Sequence, residues 1–129
     1  MIKVSIKAIF LGGLVDVVSS FVLAIPLTLI AASRGPGALK SAGYHSLETA
    51  IGLICSVLGG YVAGRIAKRS QLLNGALSSW FCTLLGIWAV ASGLDHQPHI
   101  MQIFNFLAAP VCAYIGGYLT RPRVNRQCA

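Results

Sequence analysis

Four long apolar runs, separated by short polar segments, dominate the pattern of hydrophobic and polar positions along the chain. They cover residues 8–32, 47–67, 72–93 and 100–120, and Asp16 is the only charged residue in the first run. Each run has about the 20 residues that an α-helix needs to cross ~30 Å of hydrocarbon. Separate strands would leave backbone groups without partners in lipid. The pattern therefore predicts an all-α, integral membrane four-helix bundle.

The composition agrees with a membrane location. Of the 129 residues, 56% are hydrophobic and 10% are charged, whereas an ordinary soluble domain has roughly 25% charged residues. A soluble domain of this size could not bury so much apolar surface. We therefore expect a single transmembrane domain over residues 1–129, with the lipid bilayer as its solvent and a polar tail at residues 121–129.

The distribution of lysine and arginine predicts the orientation. The net charge is +7. Eight basic residues flank the apolar runs on one side: Lys3, Lys7, Arg65, Lys68, Arg69, Arg121, Arg123 and Arg126. The other side has Arg34 and Lys40. Because the more basic side faces the cytoplasm, we expect both termini to be cytoplasmic. The basic residues have no interleaved aromatic residues, so we assign them to anionic lipid headgroups and expect no nucleic-acid partner.

Two similar segments occur near the ends of the second and fourth runs. Leu58-Gly59-Gly60-Tyr61 matches Ile115-Gly116-Gly117-Tyr118, and a basic cluster follows each segment. A weaker match joins residues 11–14 to residues 73–76. One interpretation is a pair of repeated helical hairpins, similar to the internal repeats of transporters. The other is that a common Gly-Gly-Tyr pattern recurs by chance.

Small residues at helical spacing predict where the helices pack. Lipid tails are as apolar as leucine, so membrane helices associate through close backbone approach and polar contacts. The predicted packing positions are Gly52, Ser56, Gly59, Gly60, Gly64, Gly75, Gly86, Gly116 and Gly117. They indicate tight packing within the chain. The alternative is an interface with a second copy or with a larger membrane protein.

Asp16 is the most unusual residue of the first run. This run is longer than the roughly 7–15 residues of a signal-peptide core, so we expect it to be retained as a helix. A carboxylate at such depth costs about 2.5–3.5 kcal/mol and should face the bundle or a water-filled cavity. With Ser19 and Ser20 one turn away, Asp16 is a candidate site for a proton or cation. The structural alternative is a carboxyl group that bonds to these serines or reaches toward Arg65 or Lys68.

The predicted outer side carries all three histidines. His96 and His99 are three residues apart, a spacing that can place two imidazoles on one metal ion, with His45 as a third ligand. Outer loops also carry histidines without any ligand role, so we expect neither a metal nor another cofactor. The sequence contains no GxSxG, HExxH or phosphate-loop motif. We therefore do not expect an enzyme.

Residues 59–67 (GGYVAGRIA) and residues 73–77 (LNGAL) together resemble a pattern in small bacterial four-helix membrane proteins. The resemblance implies a four-helix fold in a bacterial plasma membrane and implies no activity. Small multidrug exporters also have four short helices and an acid in the first one, but their acid is Glu and their dual-topology members have weak charge bias. The Asn and Phe patterns of small fluoride channels are not recognisable here.

Two functional hypotheses follow from the sequence. The first is a non-enzymatic structural or accessory membrane protein that acts through helix packing against itself or a larger partner. The second is a small transporter or channel that uses Asp16 for coupling or selectivity.

The orientation can be tested by labelling Cys128 in a chain whose other cysteines have been replaced. We expect a membrane-impermeant maleimide to label this thiol in inverted vesicles and not in intact cells, because the tail is predicted to be cytoplasmic. Lys40→Cys, on the opposite side, should show the reverse result. Labelling of Cys128 in intact cells would invert the predicted topology.

Overall fold

The computed structural model of the chain is all-helical in the part that it describes, residues 4–67, 70–93 and 98–120. The helices are α1 (Ile6–Ser33), α2 (Ala42–Ala67), α3 (Gln71–Ser78), α4 (Trp80–Ala91) and α5 (His99–Leu119). A short 3₁₀ turn, Ala38–Lys40, lies between α1 and α2. Because α3 and α4 continue each other, the described residues form four spans, all long and apolar enough to cross a membrane. This confirms the predicted four-helix architecture.

Two helix boundaries differ from the prediction. Helix α2 begins at Ala42 rather than at residue 47. Hydropathy did not indicate the first turn of this helix, because the turn is polar. The Ser41 hydroxyl accepts a hydrogen bond from the Tyr44 N–H at 3.2 Å and caps the turn. The third span is also broken, at Ser79. The Ser78 and Ser79 hydroxyls donate to the carbonyls three residues before them, at 2.7 and 2.8 Å, and such bonds compete with regular helical pairing.

The termini of the spans define two ends of the bundle. The inner end holds the beginning of α1, where the Ser5 N–H donates to Asn74 Oδ1 of α3 at 2.8 Å. The outer end holds the other end of α1, where the Thr28 and Tyr44 hydroxyls share a hydrogen bond of 3.0 Å. These contacts make α1 antiparallel to α2 and parallel to α3. The names inner and outer follow the predicted orientation.

The interior and the surface have the opposite character to those of a soluble protein. The buried hydrophobic residues are small: Ala8, Ala31, Cys55, Ala63 and Ala113. Large apolar side chains lie outside; Ile100 is 79% exposed, Leu107 71% and Trp88 61%. Exposing so many large apolar side chains to water would be unfavourable, whereas exposing them to lipid carries no such cost. Small residues are then available to form the contacts between helices.

Helix α2 lies between α1 and α5 and contacts each through a different row of small residues. Toward α1, a Cβ placed on Gly12 would lie 2.7 Å from the Gly59 carbonyl oxygen and 2.6 Å from the Ala63 Cβ. Toward α5, a Cβ on Gly64 would lie 3.0 Å from the Gly117 Cα, and one on Gly60 would overlap the Ala113 carbonyl. Both small-residue rows of α2 are therefore used within the chain.

The two Gly-Gly-Tyr segments contact each other where α2 and α5 cross. A Cβ on Gly116 would overlap the Val57 carbonyl and lie 2.7 Å from the Tyr61 nitrogen. Since successive contacts along α2 and α5 run in the same direction, the two helices are parallel, as two matching hairpins would require. Gly117 continues the contact toward α3, where its Cβ would lie 2.7 Å from the Gln71 carbonyl oxygen.

Three other predicted packing positions have different surroundings. Gly75 approaches α5, where a Cβ would lie 2.8 Å from the Ala113 carbonyl oxygen. Gly86 faces the ring of Phe106, 2.8 Å from the position of a Cβ. Gly52 departs from the prediction, because nothing lies within 4 Å of the position that its Cβ would take. On this side of α2, close packing therefore begins further along the helix, at Gly60 and Gly64, where α5 approaches.

Gly60→Ala and Gly52→Ala form a matched pair that tests the α2–α5 contact. The first adds a methyl group against the Ala113 backbone and should lower the free energy of unfolding by about 1–3 kcal/mol, the usual cost of overpacking. The second adds the same methyl group in open space and should leave stability unchanged or raise it slightly, since alanine favours helix over glycine. Thermal unfolding in detergent, followed by circular dichroism, measures both. Equal effects of the two substitutions would contradict this packing.

Candidate functional site

Asp16 is buried in the middle of the bundle, with 1% of its surface exposed. At a rise of 1.5 Å per residue it lies about 15 Å along α1 from Ile6. Glycine on the facing helix makes room for it, because a Cβ on Gly59 would lie 2.7 Å from the Asp16 Cβ. The close approach of α1 and α2 therefore directs the carboxyl group into the protein.

The carboxyl group of Asp16 has a hydrogen-bonding partner on another helix. The Ser56 hydroxyl of α2 lies 3.1 Å from Asp16 Oδ2 and 3.4 Å from Oδ1. The Cys82 thiol of α4 lies near the same carboxyl group. Within the part of the chain that the structure describes, no lysine or arginine lies at ion-pair distance from this carboxyl group. Asp16 is thus a buried acid whose hydrogen-bond donor is neutral.

The structural alternatives proposed for Asp16 have different outcomes. The Ser19 hydroxyl donates to backbone carbonyls of its own helix, at 2.7 Å to Val15 and 3.1 Å to Asp16, and not to the carboxyl group. Arg65 donates to the Tyr61 hydroxyl at 2.9 Å. Lys68 lies outside the described residues. The sequence therefore identified the acid correctly as an inward-facing residue, but the alternative in which Ser19 bonds to its carboxyl group is not what the structure shows.

Ser56 and Cys82 are the members of this site that the sequence did not reveal. Ser56 was predicted as a packing position, and it does lie on the face of α2 that meets α1, one turn before Gly59. Cys82 lies within the third apolar run, whose hydropathy does not indicate a site. The spacing of Ser56 from Gly59 and Ala63 was the only sequence signal for its role, because it places the three residues on the same face of α2, the face directed at α1.

A cavity of about 280 Å³ lies between α1, α2, α4 and α5. The rings of Phe21 on α1 and Phe106 on α5 form the aromatic part of its lining. Gly52 of α2 also lines the cavity and has no side chain to fill it. The polar lining includes Ser20, Thr49, Ser56, Thr83, Gln102 and Asn105. Of the three residues predicted for the site, Ser20 lines the cavity, Asp16 lies behind its wall and Ser19 bonds within its own helix.

The cavity extends from the outer part of the bundle to the neighbours of Asp16. Glu48 and Gln102, near the outer ends of their helices, line one part, and Ser56 and Cys82 line the other. Toward the inner end, Gly12 packs against Gly59, Ala63 and Ser78 and closes the contact between α1, α2 and α3. The arrangement gives the buried carboxyl group a polar connection toward the outer end.

A small group of polar residues includes Glu48 and Gln102, which line the outer part of the cavity, and the histidines beside them. His45 Nδ1 is 3.7 Å from Glu48 Oε2, is buried and has no hydrogen-bond partner. His99 Nδ1 lies 3.2 Å from Gln102 Oε1. Among residues 4–67, 70–93 and 98–120, no three His, Cys, Asp or Glu side chains come together as a metal-binding group. His96 lies outside these ranges.

Comparison with known proteins gives no further information about the site. No family model, curated protein or solved structure matches the chain significantly. The site must therefore be interpreted from its own geometry.

Ser56→Ala and Ser19→Ala test whether the hydroxyl of Ser56 holds Asp16. Removing Ser56 Oγ takes away the hydroxyl that donates to the buried carboxyl group and should lower the free energy of unfolding by about 1–2 kcal/mol. Removing Ser19 Oγ deletes only a bond to its own helix, so its effect should stay within about 0.5 kcal/mol. Unfolding of both variants in the same detergent gives the comparison. A larger loss for Ser19→Ala would refute the assignment.

Proposed function

We propose that this chain is a multi-pass protein of a bacterial plasma membrane, with both termini in the cytoplasm, and that it transports a proton or another small cation through Asp16. The charge asymmetry of the sequence and the apolar outer surface support the membrane location and orientation. The activity is non-enzymatic, because the site offers binding and exchange of a charge rather than bond chemistry.

One observation carries the proposal: the Ser56 hydroxyl that bonds to Asp16 also lines the cavity. A buried acid that served packing alone would need partners but no access route. Ionisable residues inside a membrane that face a cavity usually mark the path of an ion or substrate. The polar connection from the cavity to Asp16 therefore favours transport over a purely structural role.

The distribution of open and closed regions favours a transporter over a channel. A channel needs a continuous path across the membrane, whereas on the inner side of Asp16 the contact between Gly12 and Gly59 closes the space between α1 and α2. A transporter needs only one open side at a time, with access alternating around a fixed site. In this proposal the described arrangement corresponds to the state in which the cavity, which reaches the Ser56 partner of Asp16, lies toward the outer side.

The accessory hypothesis remains a distinct proposal with a different expected result. Both small-residue rows of α2 are occupied by α1 and α5, so a partner helix would have to dock elsewhere. Co-purification of a stable membrane partner, together with no flux, would support the accessory role.

Proton flux in liposomes tests the transport proposal directly. We expect the reconstituted chain to dissipate an imposed pH gradient, followed with a pH-sensitive dye, and Asp16→Asn to slow this at least about tenfold because the amide cannot exchange a proton at neutral pH. Ser19→Ala is the matched control, since it changes α1 one turn away without touching the carboxyl group, and should retain the original rate.

The result is interpretable only for folded protein, so both variants should first show the same helical content and elution volume as the original chain. Equal flux in the Asp16→Asn variant and the original chain would exclude Asp16 as the transport site.

A further inference from the structure

The polar lining of the cavity does not favour an ion of either sign. Its carboxyl group is that of Glu48, which already has His45 Nδ1 at 3.7 Å from its Oε2 atom, and Asp16 lies behind the wall. The other polar side chains of the lining are hydroxyls, amides and a thiol. An ion that entered would lose its hydration without gaining a countercharge of its own, which is costly in an apolar site. A neutral molecule carries no such cost.

The size and the apolar walls of the cavity suit an organic molecule. Its volume of about 280 Å³ lies just below the roughly 300–1,000 Å³ of ordinary ligand pockets. The rings of Phe21 and Phe106 and the side chains of Leu27 and Ile51 supply apolar surface. Pockets for small molecules typically combine such walls with a few polar groups that fix the orientation of the ligand.

Ser20 and Ser56 place two hydroxyl groups on the cavity wall beside Asp16. Ser20 is one turn beyond Asp16 on α1, and Ser56 is one turn before Gly59, the residue that faces Asp16 from α2. Because α1 and α2 are antiparallel, both serines lie on the outer side of Asp16. Among the residues that the structure describes, Ser20 Oγ has no hydrogen-bond partner, so its hydroxyl is available to donate to a ligand.

The Ser56 hydroxyl connects the cavity to the protonation state of Asp16, whose Oδ2 atom is 3.1 Å away. An ionised carboxylate only accepts hydrogen bonds, so it takes the one hydrogen of this hydroxyl and leaves only lone pairs for the cavity. A protonated carboxyl group can instead donate its O–H to Ser56 Oγ, which releases the Ser56 hydrogen toward the cavity. Protonation of Asp16 therefore converts Ser56 from an acceptor into a donor at the cavity wall.

Few other titratable groups lie on this side of the helices packed against α1. They are Cys82 on α4 and Cys55, Glu48 and His45 on α2, whereas α3 has none. An ordinary thiol stays protonated up to about pH 8. Glu48 and His45 are two to three turns of α2 away from Ser56, so neither takes part in the exchange of hydrogen bonds between Ser56 and Asp16.

We propose that the cavity binds a small neutral organic molecule through a carbonyl oxygen, which accepts hydrogen bonds from Ser20 and Ser56, and that Asp16 takes up one proton from water when this molecule binds. A carbonyl oxygen has two lone pairs and can accept from both hydroxyls. By linkage, protonation of Asp16 strengthens binding by the same factor by which binding favours protonation. The inference rests on the proposed function and names the substrate class of the same site.

Calorimetric titration of the full chain in lipid nanodiscs tests the inference, with empty nanodiscs as the blank. The probes are acetophenone, which has a carbonyl oxygen, and ethylbenzene, which has a similar shape and no acceptor. At about pH 6 we expect acetophenone to bind at least about threefold more tightly, the size of one ordinary net hydrogen bond. Its affinity should fall as the pH is raised to about 8, because ionised Asp16 withdraws the Ser56 hydrogen. The dependence of the measured heat on the ionisation enthalpy of the buffer reports the proton uptake.

Variants locate the proton and the donors. Asp16→Asn should bind acetophenone without proton uptake and with the same affinity at each pH, because an amide N–H can donate to Ser56 throughout. Ser56→Ala should also lose the uptake. Ser20→Ala should weaken binding by about threefold and keep the uptake, because it removes a donor outside the contact with Asp16. Ser56→Thr retains a hydroxyl and should keep the uptake, which preserves the test if Ser56→Ala does not fold.

Three results would overturn the inference. Acetophenone binding no more tightly than ethylbenzene would mean that the cavity takes apolar molecules without a hydrogen bond, including lipid chains. Acetophenone binding without proton uptake would disconnect the ligand from Asp16, and uptake that persists in Asp16→Asn would assign the proton to another group, such as His45. Any of these results with intact Asp16-dependent proton flux would leave the proposed function standing, whereas loss of that flux dependence would remove the proposed function itself.

Discussion

Helix α2 can contact α1 and α5 at backbone distance only because glycine or alanine occupies each crossing point. A Cβ on Gly59 would meet Asp16 and one on Gly60 would overlap Ala113, so a larger residue at either position would separate the helices. In lipid no hydrophobic force draws helices together, and close backbone packing must supply much of the association energy. The positions of Asp16 and of its partner Ser56 depend on this contact.

Close packing on α2 also creates the setting of Asp16. A carboxyl group at this depth costs about 2.5–3.5 kcal/mol on insertion scales, while hydrogen bonds between helices in membranes contribute on average about 0.6 kcal/mol each and rarely more than ~1.7. The hydrogen bond from Ser56 therefore offsets only part of that cost. This deficit is the physical reason for the proposal that Asp16 has a role beyond packing.

The third span gives the cavity its shape. Helix α3 packs closely against α2 and α5, whereas α4, after the turn at Ser79, makes few contacts with α5. The cavity occupies the space that α4 leaves open. Cys82 lies three residues beyond this turn and lines the cavity together with Ser56, the partner of Asp16, so the break in the helix and the buried acid belong to one region. Movement of α4 relative to α5 would change the access to this region, which is the kind of motion that alternating access needs.

The sequence by itself determined the four spans, the inward direction of Asp16 and most of the packing glycines, because hydropathy and the spacing of small residues follow directly from contact with lipid. It did not reveal the break at Ser79, since both halves of the third span are apolar and the serine bonds that interrupt it are local. Nor did it distinguish Gly52 from Gly60, which differ only in what lies opposite them. Ser56, rather than Ser19, became the partner of Asp16 because the α1–α2 crossing faces them toward each other, and residues forty positions apart are brought together only by tertiary structure.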